Sequence, residues 1–288
     1  MSTILEPAKV AAHATPARRT RPTFLMCPPT LYDVDYVINP WMAGNLHAPS
    51  RKRAEQQWQS LYNALSSLAD IVLIEPQPGS PDMVFTANAG LEHHGSVAIS
   101  SFFHAERQGE EPHFRRWFQE HNYEVLDLSR STPFEGEGDA LFSSDMSRLW
   151  IGEGPRTSTS SHLLLATAWQ IKLAPLHLVD PRFYHLDTCF APLSDGSVMY
   201  FPEAFDTLSL QKLEAFYPRA KRIVIDEADA VRFACNAVNV NGTIILNVTS
   251  ATLCRELESR GFTVLQVDLS EFLKAGGAAK CLVMTLRH

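Results

Sequence analysis

The sequence predicts an α/β fold in which five ββαβ-type units, spaced by about 50 residues, close into a ring of radial repeats. Three observations lead to this prediction. A hairpin, a helix and a further strand follow one another four times along the chain. Turn-forming pairs such as Asp195–Gly196 and Asn241–Gly242 stand inside the predicted hairpins. The two ends of the chain together supply a fifth unit, so that the N- and C-terminal strands share one blade.

The fifth unit would be assembled from both ends of the chain. Residues 23–29 and 281–286 are short apolar runs that would pair as its hairpin strands, and residues 70–75 would be its last strand. Residues 51–69 place apolar side chains on one face at helical spacing, which predicts the helix that precedes this last strand. Pairing of the first strand with the last would close the ring.

The other four units follow one another in the middle of the chain. Each one has a predicted hairpin, then a helix, then a strand. Their ranges are 84–100, 105–121 and 123–128; 139–152, 158–170 and 174–179; 185–201, 207–217 and 221–226; and 233–247, 249–261 and 262–269. In such a ring the hairpins begin at a central channel, so we expect polar residues at the hairpin starts to meet there.

Composition limits the functions that are possible. The chain has 288 residues and a formal net charge of −7, which argues against a nucleic-acid partner because phosphate binding favours a basic face. No apolar run reaches the roughly 20 residues that a membrane helix needs. Five cysteines, an odd and widely spaced set, indicate reduced thiols and a cytoplasmic location rather than a disulfide framework or a zinc site.

The chain divides into an arm and a domain. Residues 1–21 are rich in alanine, threonine and proline and predict a disordered arm, whereas residues 22–288 would form a single catalytic domain. The histidine pair His93 and His94 does not indicate a metal site, because adjacent residues on a strand point to opposite faces. We expect neither a metal nor a cofactor.

Residues at the predicted hairpin starts carry the candidate chemistry. Cys281 could act as a nucleophile if a base lies nearby, since the thiolate is the reactive form. His185 and Asp187 would lie on one face of a strand, two residues apart. Glu135 and Asp139 surround two glycines, which would let the backbone come close to a ligand. These residues predict an anionic pocket that contains a thiol and an imidazole.

A guanidinium is the substrate that suits such a pocket. Carboxylates bind this planar cation through paired, charge-assisted hydrogen bonds. The Cys281 thiolate would add to its central carbon, and His185 would protonate the departing amine. His185 could then activate water against the covalent amidino-enzyme. The predicted reaction is therefore a hydrolysis that requires only protein side chains.

Five segments of the chain together resemble a known group of enzymes. In sequence order they are FLMCPPTLYDVDYVINPWM, PDMVFTANAG, PFEGEGDAL, YHLDT and GGAAKC. They resemble the guanidino-group-modifying hydrolases of the amidinotransferase, or pentein, superfamily, which includes arginine deiminase, dimethylarginine dimethylaminohydrolase and glycine amidinotransferase. The resemblance covers residues 23–286 and implies a five-bladed α/β propeller. It is strongest to arginine dihydrolase, which converts arginine to ornithine, carbon dioxide and two ammonia.

The resemblance implies a role for each matching residue. Cys281 would be the nucleophile, His185 the general acid and base, and Glu135 and Asp187 would hold the guanidinium. Arg107 matches a residue that binds the α-carboxylate of the substrate. Together with Asp187, the substrate-binding candidates are Asn39, Asp82, Asn88, Arg107 and Asp139.

Several of these residues also have a purely structural interpretation. Asn39 could fix the turn before Pro40, and Asp82 could cap its loop instead of contacting a substrate amine. Asp139 could bond loop amides, and Arg107 could form a surface salt bridge. Glu137 occupies a variable position of its motif and is therefore left out of the predicted site.

Asn88 favours the dihydrolase over its relatives. The deiminases and dimethylarginine enzymes carry an aspartate at this position, which would prefer a cation and release neutral citrulline. A neutral amide can hydrogen-bond either species, so the ureido product could stay for a second attack. The family usually has a third glycine and an arginine before the cysteine, whereas this chain has Ala278, Ala279 and Lys280.

Other functions stay open at this point. An enzyme of this class could release citrulline, or could transfer the amidino group to an amine instead of water. A catalytically silent pentein used for assembly is an alternative of a different class, because fold does not imply function. An apolar helix face is compatible with a homodimer, and the expected partner is a small guanidino substrate.

Overall fold

The computed structural model of the protein describes residues 21–128, 131–154 and 156–287. The predicted arm, residues 1–21, lies outside the described residues except for Arg21. The Arg21 guanidinium donates to the backbone carbonyl groups of Ser66 and Ala69, both at 2.9 Å. Arg21 therefore contacts the folded part of the chain.

The described residues contain strands and helices in the predicted alternation. The strands are β1 (Thr23–Met26), β2 (Asp70–Leu73), β3 (Gly90–His93), β4 (Ser96–Ile99), β5 (Glu124–Leu126), β6 (Ala140–Phe142), β7 (Leu149–Glu153), β8 (Leu173–His177), β9 (Phe190–Pro192), β10 (Val198–Tyr200), β11 (Arg222–Val224), β12 (Val238–Val240), β13 (Thr243–Asn247), β14 (Thr263–Val267) and β15 (Met284–Leu286). The helices are α1 (Arg51–Ser66), α2 (Ala105–Gln108), α3 (Glu111–Glu120), α4 (Thr159–Trp169), α5 (Thr207–Phe216), α6 (Glu227–Ala230), α7 (Ala251–Ser259) and α8 (Ser270–Leu273).

The strands form five three-stranded sheets with the same internal pairing. Their strand orders are β15-β1-β2, β3-β4-β5, β6-β7-β8, β9-β10-β11 and β12-β13-β14. In every sheet the middle strand pairs antiparallel with one neighbour and parallel with the other. The parallel neighbour is the strand that follows the helix. The prediction of a mixed α/β fold built from repeated ββαβ units is confirmed at this level.

Both ends of the chain contribute to the first sheet, as the sequence predicts. Strand β1 lies in the middle, with Thr23 opposite Leu286 of β15 and opposite Asp70 of β2. Helix α1 connects β1 to β2 and buries Trp58 and Leu61 against this sheet and its neighbour. Each large apolar side chain that is fully buried contributes roughly 1.5–3 kcal/mol to stability.

Short 3-10 turns precede the first strand of three sheets. They span Thr86–Ala89, Gly136–Gly138 and Leu186–Thr188, and they lie against one another. The prediction that Asn88 and the His185–Asp187 pair lie on strands is wrong, because these residues stand in or beside the turns. Neighbouring side chains on a strand alternate between faces, whereas a tight turn can direct several of them to one place.

No helix within the described residues combines the length and the apolar character needed to cross a membrane.

Candidate active site

Cys281 lies in the loop between α8 and β15, three residues before the strand begins, and its side chain is only 2% exposed. Asn236 contacts this residue twice. The Asn236 side-chain carbonyl accepts the Cys281 backbone N–H at 3.0 Å, and its amide nitrogen donates to the Cys281 Sγ at 3.1 Å. On the other side, Sγ lies 3.4 Å from Oδ2 of Asp187. The thiol is thus positioned between an amide and a carboxylate.

Cys281 and Asp187 both hold protons tightly in this arrangement. Burial raises the pKa of Asp187 to about 7, although Lys280 opposes the shift. Burial and the charge of Asp187 raise the pKa of the Cys281 thiol well above its ordinary value. A cation placed beside the pair would favour the carboxylate and the thiolate together. The geometry therefore suits a thiol that becomes reactive when a cationic group lies beside it.

His185 and Glu135 form a buried pair, with 2.7 Å between His185 Nε2 and Glu135 Oε2. Arg156 donates to the same carboxylate oxygen at 3.1 Å. Burial favours the neutral acid, but Arg156 and His185 outweigh it and hold the pKa of Glu135 well below its usual range. An ionised carboxylate only accepts hydrogen bonds, so the hydrogen of this contact belongs to Nε2 of His185.

Asn88 connects His185 to Arg107. Arg107 Nη1 donates to Asn88 Oδ1 at 2.9 Å, which directs the Asn88 amide nitrogen toward His185 Nδ1 at 3.4 Å. Because the amide nitrogen donates, these contacts assign an imidazole with its hydrogen on Nε2 and an accepting Nδ1. Nδ1 is therefore the atom at which His185 can take up and return a proton.

Arg107 lies in α2, within the predicted helix range, and it is buried, which corrects the alternative of a surface salt bridge. Its guanidinium donates to Glu110 through two contacts of 2.8 Å and to the Asp82 backbone carbonyl at 3.1 Å. The cation lies 4.4 Å from the centroid of the Phe102 ring. Burial raises the pKa of Glu110 to about 7, although Arg107 opposes this shift. Arg107 is thus a fixed, desolvated cation at the site.

Asp82 has one carboxylate oxygen engaged and one without a hydrogen bond in the described part of the chain. Oδ2 accepts from the Tyr36 hydroxyl at 2.9 Å and lies 3.9 Å from Arg107 Nε, whereas Oδ1 is buried and unpaired. Burial raises the pKa of Asp82, with Arg107 acting against it. A buried carboxylate oxygen of this kind is available to a cationic ligand such as an amine.

Asn39 and Asp139 hold loops around the site. The Asn39 side chain accepts from the Trp41 backbone at 3.0 Å and donates to the Ala275 carbonyl at 3.0 Å, which ties its turn to the Cys281 loop. Asp139 accepts from the Thr157 hydroxyl at 2.5 Å and from the Leu186 backbone at 3.0 Å. Both residues make the structural contacts that the sequence left open as alternatives.

The two glycines beside Glu137 allow three turns to approach closely. Gly136 has a φ of +60°, and a side chain there would meet the Ala87 and Gly90 carbonyl oxygens at 2.6 Å. A methyl group on Gly138 would lie 3.1 Å from His185 Nδ1 and would also overlap the Asn88 amide nitrogen. The sequence predicts close approach to a ligand here, whereas the structure shows close approach to the neighbouring turns.

A small cavity joins these groups. Its lining includes Asp82, Asn88, Arg107, Arg156 and Cys281. The cavity measures about 10 Å³, which is room for the centre of about one water molecule. A larger ligand therefore displaces side chains or loops as it binds. Its surroundings combine carboxylates that suit a guanidinium with cations that suit a carboxylate.

The structure places the nine predicted site residues in neighbouring hydrogen-bonded groups: Cys281 with Asp187, His185 with the other carboxylates, Asn88 and Arg107, and Asn39 on the Cys281 loop. Prediction from the sequence missed two members of the site, Glu110 and Arg156, and it gave Asn236 a place at the hairpin starts but no role at the thiol. Arg156 and Glu110 belong to no recognised segment, and no spacing reveals that they are buried. Asn236 stands at a predicted hairpin start, so that position was the available signal.

Among the described residues, Asp33, Asp35 and His47 are the only group of three or more potential ligands close enough together to share a metal ion, and this group is largely exposed. It lies outside the network around Cys281.

The chain is similar to known proteins over most of its length. The family model described as N,N dimethylarginine dimethylhydrolase, eukaryotic, matches residues 39–288. The bifunctional arginine dihydrolase/ornithine cyclodeaminase ArgZ of Synechocystis sp. is 53% identical over 260 residues, which are 90% of this chain and 37% of that protein. The N(G),N(G)-dimethylarginine dimethylaminohydrolase of Mycobacterium tuberculosis is 38% identical over 276 residues, which are 94% of this chain and 89% of that protein.

Solved structures show the same similarity. The N-terminal domain of ArgZ, an arginine dihydrolase from the ornithine-ammonia cycle in cyanobacteria, has been solved bound to substrate and covalently bonded to a reaction intermediate. Each structure matches with a TM-score of 0.92 and 51% identity, over 93% of this chain and 98% of that chain. The chain thus spans 37% of the bifunctional ArgZ protein and nearly all of this solved domain.

Proposed function

The chain belongs to the N,N-dimethylarginine dimethylhydrolase family within the guanidino-group-modifying superfamily, and we propose that it is an arginine dihydrolase. One arginine and two waters would give ornithine, carbon dioxide and two ammonia. The observation that carries this proposal is the position of Asn88, a neutral amide that contacts both Arg107 and His185 in a site otherwise rich in charge. The similarity to ArgZ supports the same activity.

Substrate binding would use the two kinds of charge in the cavity. The guanidinium would lie between Asp187 and Glu135, whose carboxylates face Cys281 and His185 respectively. The amino-acid end would meet Arg107 and Arg156 through its carboxylate. The unpaired oxygen of Asp82 would accept from its amine.

Substrate would also activate the nucleophile. Once the guanidinium lies beside Asp187 and Cys281, its positive charge favours ionisation of both groups. The Cys281 thiolate then adds to the guanidinium carbon. His185 accepts at Nδ1 the proton that the Cys281 thiol releases and passes it to the departing nitrogen, and the first ammonia leaves a covalent amidino-enzyme.

Water would complete each round. His185, now unprotonated at Nδ1, takes a proton from water as its oxygen adds to the amidino carbon, and the bond to Sγ breaks. The product of this first round is citrulline, whose ureido group is neutral. Asn88 can hydrogen-bond that neutral group as readily as the cation, because an amide both donates and accepts. Retention of citrulline would permit the second hydrolysis.

The fold proposal concerns the arrangement of the sheets. We propose that the five sheets are blades of a propeller around a central channel. The first strands β6, β9, β12 and β15 contribute to the lining of one shared cavity, which supports this arrangement.

The proposal is tested by product analysis. Purified protein is incubated with L-arginine, and the products are measured by mass spectrometry together with an ammonia assay. We expect ornithine with two equivalents of ammonia, and no turnover by the Cys281→Ser variant. Cys27→Ser is the matched control, because Cys27 is also buried but belongs to another part of the core.

Two other results for the unchanged protein would change the assignment. Citrulline as the final product of the unchanged protein would move the chain to the deiminase side of the family, and turnover of only methylated or shorter guanidines would replace the substrate.

In Asn88→Asp, the added carboxylate should lower the ratio of ornithine to citrulline by about tenfold or more, as for a difference of about 1.4 kcal/mol in partitioning. Asn63→Asp, on the exposed face of α1, should still yield ornithine.

A further inference from the structure

A second cavity of about 420 Å³ lies on the far side of the segment that carries the nucleophile. We call it the rear cavity, and its lining includes Phe24, Phe142, Phe190, Lys280 and Arg287. Lys280 lines the rear cavity, whereas its neighbour Cys281 lines the small cavity described above. A single peptide unit therefore separates the two spaces.

Charge in the rear cavity is of one sign. Among the described residues of its lining, only Lys280 and Arg287 are charged, and both are cations. Each contacts the buried Glu137: Lys280 Nζ lies 2.7 Å from Oε2 with hydrogen-bond geometry, and an Arg287 nitrogen lies 2.6 Å from Oε1 as an ion pair. Glu92, which accepts the Arg287 backbone N–H, lies outside the lining. The charged groups that face the cavity are therefore both cations, and the carboxylate that pairs with them lies behind its lining.

Within the part of the chain that the structure describes, both cations retain hydrogen-bond donors. The Lys280 ammonium group has three N–H bonds, and its partners in the described residues are Glu137 and the Val283 carbonyl. The Arg287 guanidinium has five, and its nitrogen Nη1 is shared by the Glu92 and Thr285 carbonyls. An anion in the cavity could accept from both side chains without replacing Glu137.

The walls of the cavity limit the kind of anion. Phe24, Phe142 and Phe190 supply aromatic surface, and the Arg287 guanidinium lies 4.9 Å from the centroid of Phe142. Ligand sites typically combine apolar walls with a few polar groups that fix orientation, in volumes of about 300–1,000 Å³. A carboxylate on a compact apolar or aromatic body matches both the charge and the walls.

We propose that the rear cavity binds a small organic carboxylate on Lys280 and Arg287, and that this binding lowers the reactivity of Cys281. The proposed hydrolysis has no use for such a site. The rear cavity would therefore be an effector site on the opposite side of the catalytic segment.

Lys280 provides the physical connection between the two cavities. Its positive charge lowers the pKa of Asp187, acting against the larger effect of burial, and Asp187 contacts the Cys281 thiol. A bound carboxylate would offset part of that charge. Asp187 and Cys281 would then hold their protons more strongly, and less of the thiol would be present as the reactive thiolate.

The test uses benzoate as the probe and benzamide as its neutral counterpart of similar shape. The rate at which iodoacetamide alkylates Cys281 is followed by peptide mass spectrometry, which separates this thiol from the other four. We expect benzoate to slow alkylation about three- to tenfold, the effect of roughly half to one pKa unit on the thiolate fraction. Benzamide should leave the rate unchanged.

Variants locate the effect. Arg287→Met should abolish the slowing by benzoate, and Arg287→Gln replaces it if the methionine variant does not fold. Arg260→Met is the matched control, since Arg260 lines a different surface cavity and its loss should preserve the slowing. If benzoate slows alkylation equally in the Arg287 variants, it acts in the substrate cavity and the proposal is overturned. The same holds if benzoate leaves the rate unchanged. Neither result bears on arginine turnover, which is measured separately.

Discussion

At the scale of single residues, the site contains two buried carboxyl groups whose pKa values are shifted in opposite directions. Glu135 is buried, yet Arg156 and His185 keep its pKa low, so it is ionised and can orient the imidazole. Asp187 is equally buried but has the thiol and an amide as neighbours, and its pKa is about 7. The difference follows from the partners rather than from burial. One carboxylate is thus fixed in charge, and the other can respond to a bound cation.

This difference predicts how stability depends on pH. The pKa of Asp187 is about 7 in the folded protein and near 4 in an unfolded chain, so the folded state binds more protons between these values. The contribution of Asp187 to the free energy of unfolding should therefore fall as the pH rises from about 4 to about 7, whereas burial lowers the pKa of His162 and gives a contribution of the opposite sign. Glu110 and Asp139, whose pKa values are raised to about 7 and about 6, act in the same direction as Asp187. Urea unfolding at about pH 5 and about pH 8 measures the decrease.

Asp187→Asn should make that decrease smaller by up to a few kcal/mol, because the amide does not titrate. The exposed Asp127→Asn should behave as the unchanged protein does. An equal decrease in Asp187→Asn would show that Asp187 titrates normally in the folded state.

Residue identity at the site was only partly predictable. Cys281, His185 and Glu135 stand in recognisable segments, and the chemistry of a thiol beside an imidazole makes them candidates without a structure. Arg156 and Glu110 are charged residues outside the recognised segments, and charged residues of this kind are normally predicted to lie on the surface. Their burial is a consequence of tertiary packing, which brings Arg156 to Glu135, 21 residues away, and encloses the pair of Glu110 and Arg107. Glu137 was left out for a different reason, because it occupies a variable position of its motif.

At the scale of elements, three tight turns rather than strands carry the polar groups. The turn at Gly136–Gly138 lies between the turns that carry Asn88 and Asp187, and it has glycine where a side chain would collide with its neighbours. Its Glu137 is directed toward Lys280, and the preceding Glu135 toward His185. One short segment therefore contacts both the nucleophile loop and the imidazole.

Gly138→Ala tests this close packing. The added methyl group would displace His185 and Asn88, and a displacement of about 1 Å can lower turnover roughly 100-fold. Overpacking should also reduce the free energy of unfolding by about 1–3 kcal/mol. Turnover of arginine and urea unfolding measure the two effects. Gly109→Ala is the control, because its methyl group would have no neighbour closer than 4.0 Å, and near-normal turnover by Gly138→Ala would contradict the packing described here.

Element order could be predicted from the sequence, whereas element ends could not. Asp-Gly and Asn-Gly pairs predict the hairpins, and apolar residues at helical spacing predict the helices. The predicted hairpin of residues 185–201 begins with a turn, so its first strand is only Phe190–Pro192. Hydrogen bonds within the turn, such as Thr188 to the His185 carbonyl at 3.2 Å, replace the strand pairing there. Apolar pattern alone does not distinguish these two kinds of backbone.

At the scale of the whole molecule, the first sheet is distinctive because its strands come from opposite ends of the sequence. Leu25 in β1 is fully buried, and it packs with Met284 and Leu286 of β15 in one cluster. The loop that precedes β15 carries Cys281. The site therefore depends on contacts between parts of the chain that are far apart in sequence.

Leu25→Ala should lower the free energy of unfolding by about 2–5 kcal/mol, the cost of a cavity at a fully buried leucine. Leu208→Ala, at a side chain that is 66% exposed, should change it by less than about 0.5 kcal/mol. Urea unfolding followed by tryptophan fluorescence gives both values. Equal effects in the two variants would mean that the first sheet contributes little to stability.

The division into five three-stranded sheets was predictable because one supersecondary unit repeats, whereas their closure into a propeller stays a proposal. The pairing of both ends in one sheet followed from counting strands, since each end lacked the partners that the repeat requires. The oligomeric state and the single catalytic domain stay predictions, because they depend on surfaces and boundaries that a repeat does not specify.

The antiparallel pairing of Thr23 with Leu286 has a consequence for protein engineering. Since these strands are neighbours, a short linker could join residues near them, and new termini could be opened at the Asn241–Gly242 hairpin instead. Such a circular permutant would form the same contacts, but its segments would be synthesised in a different order. In it, the cysteine loop would precede the imidazole turn along the polypeptide, and β1 would follow β15 as an ordinary hairpin.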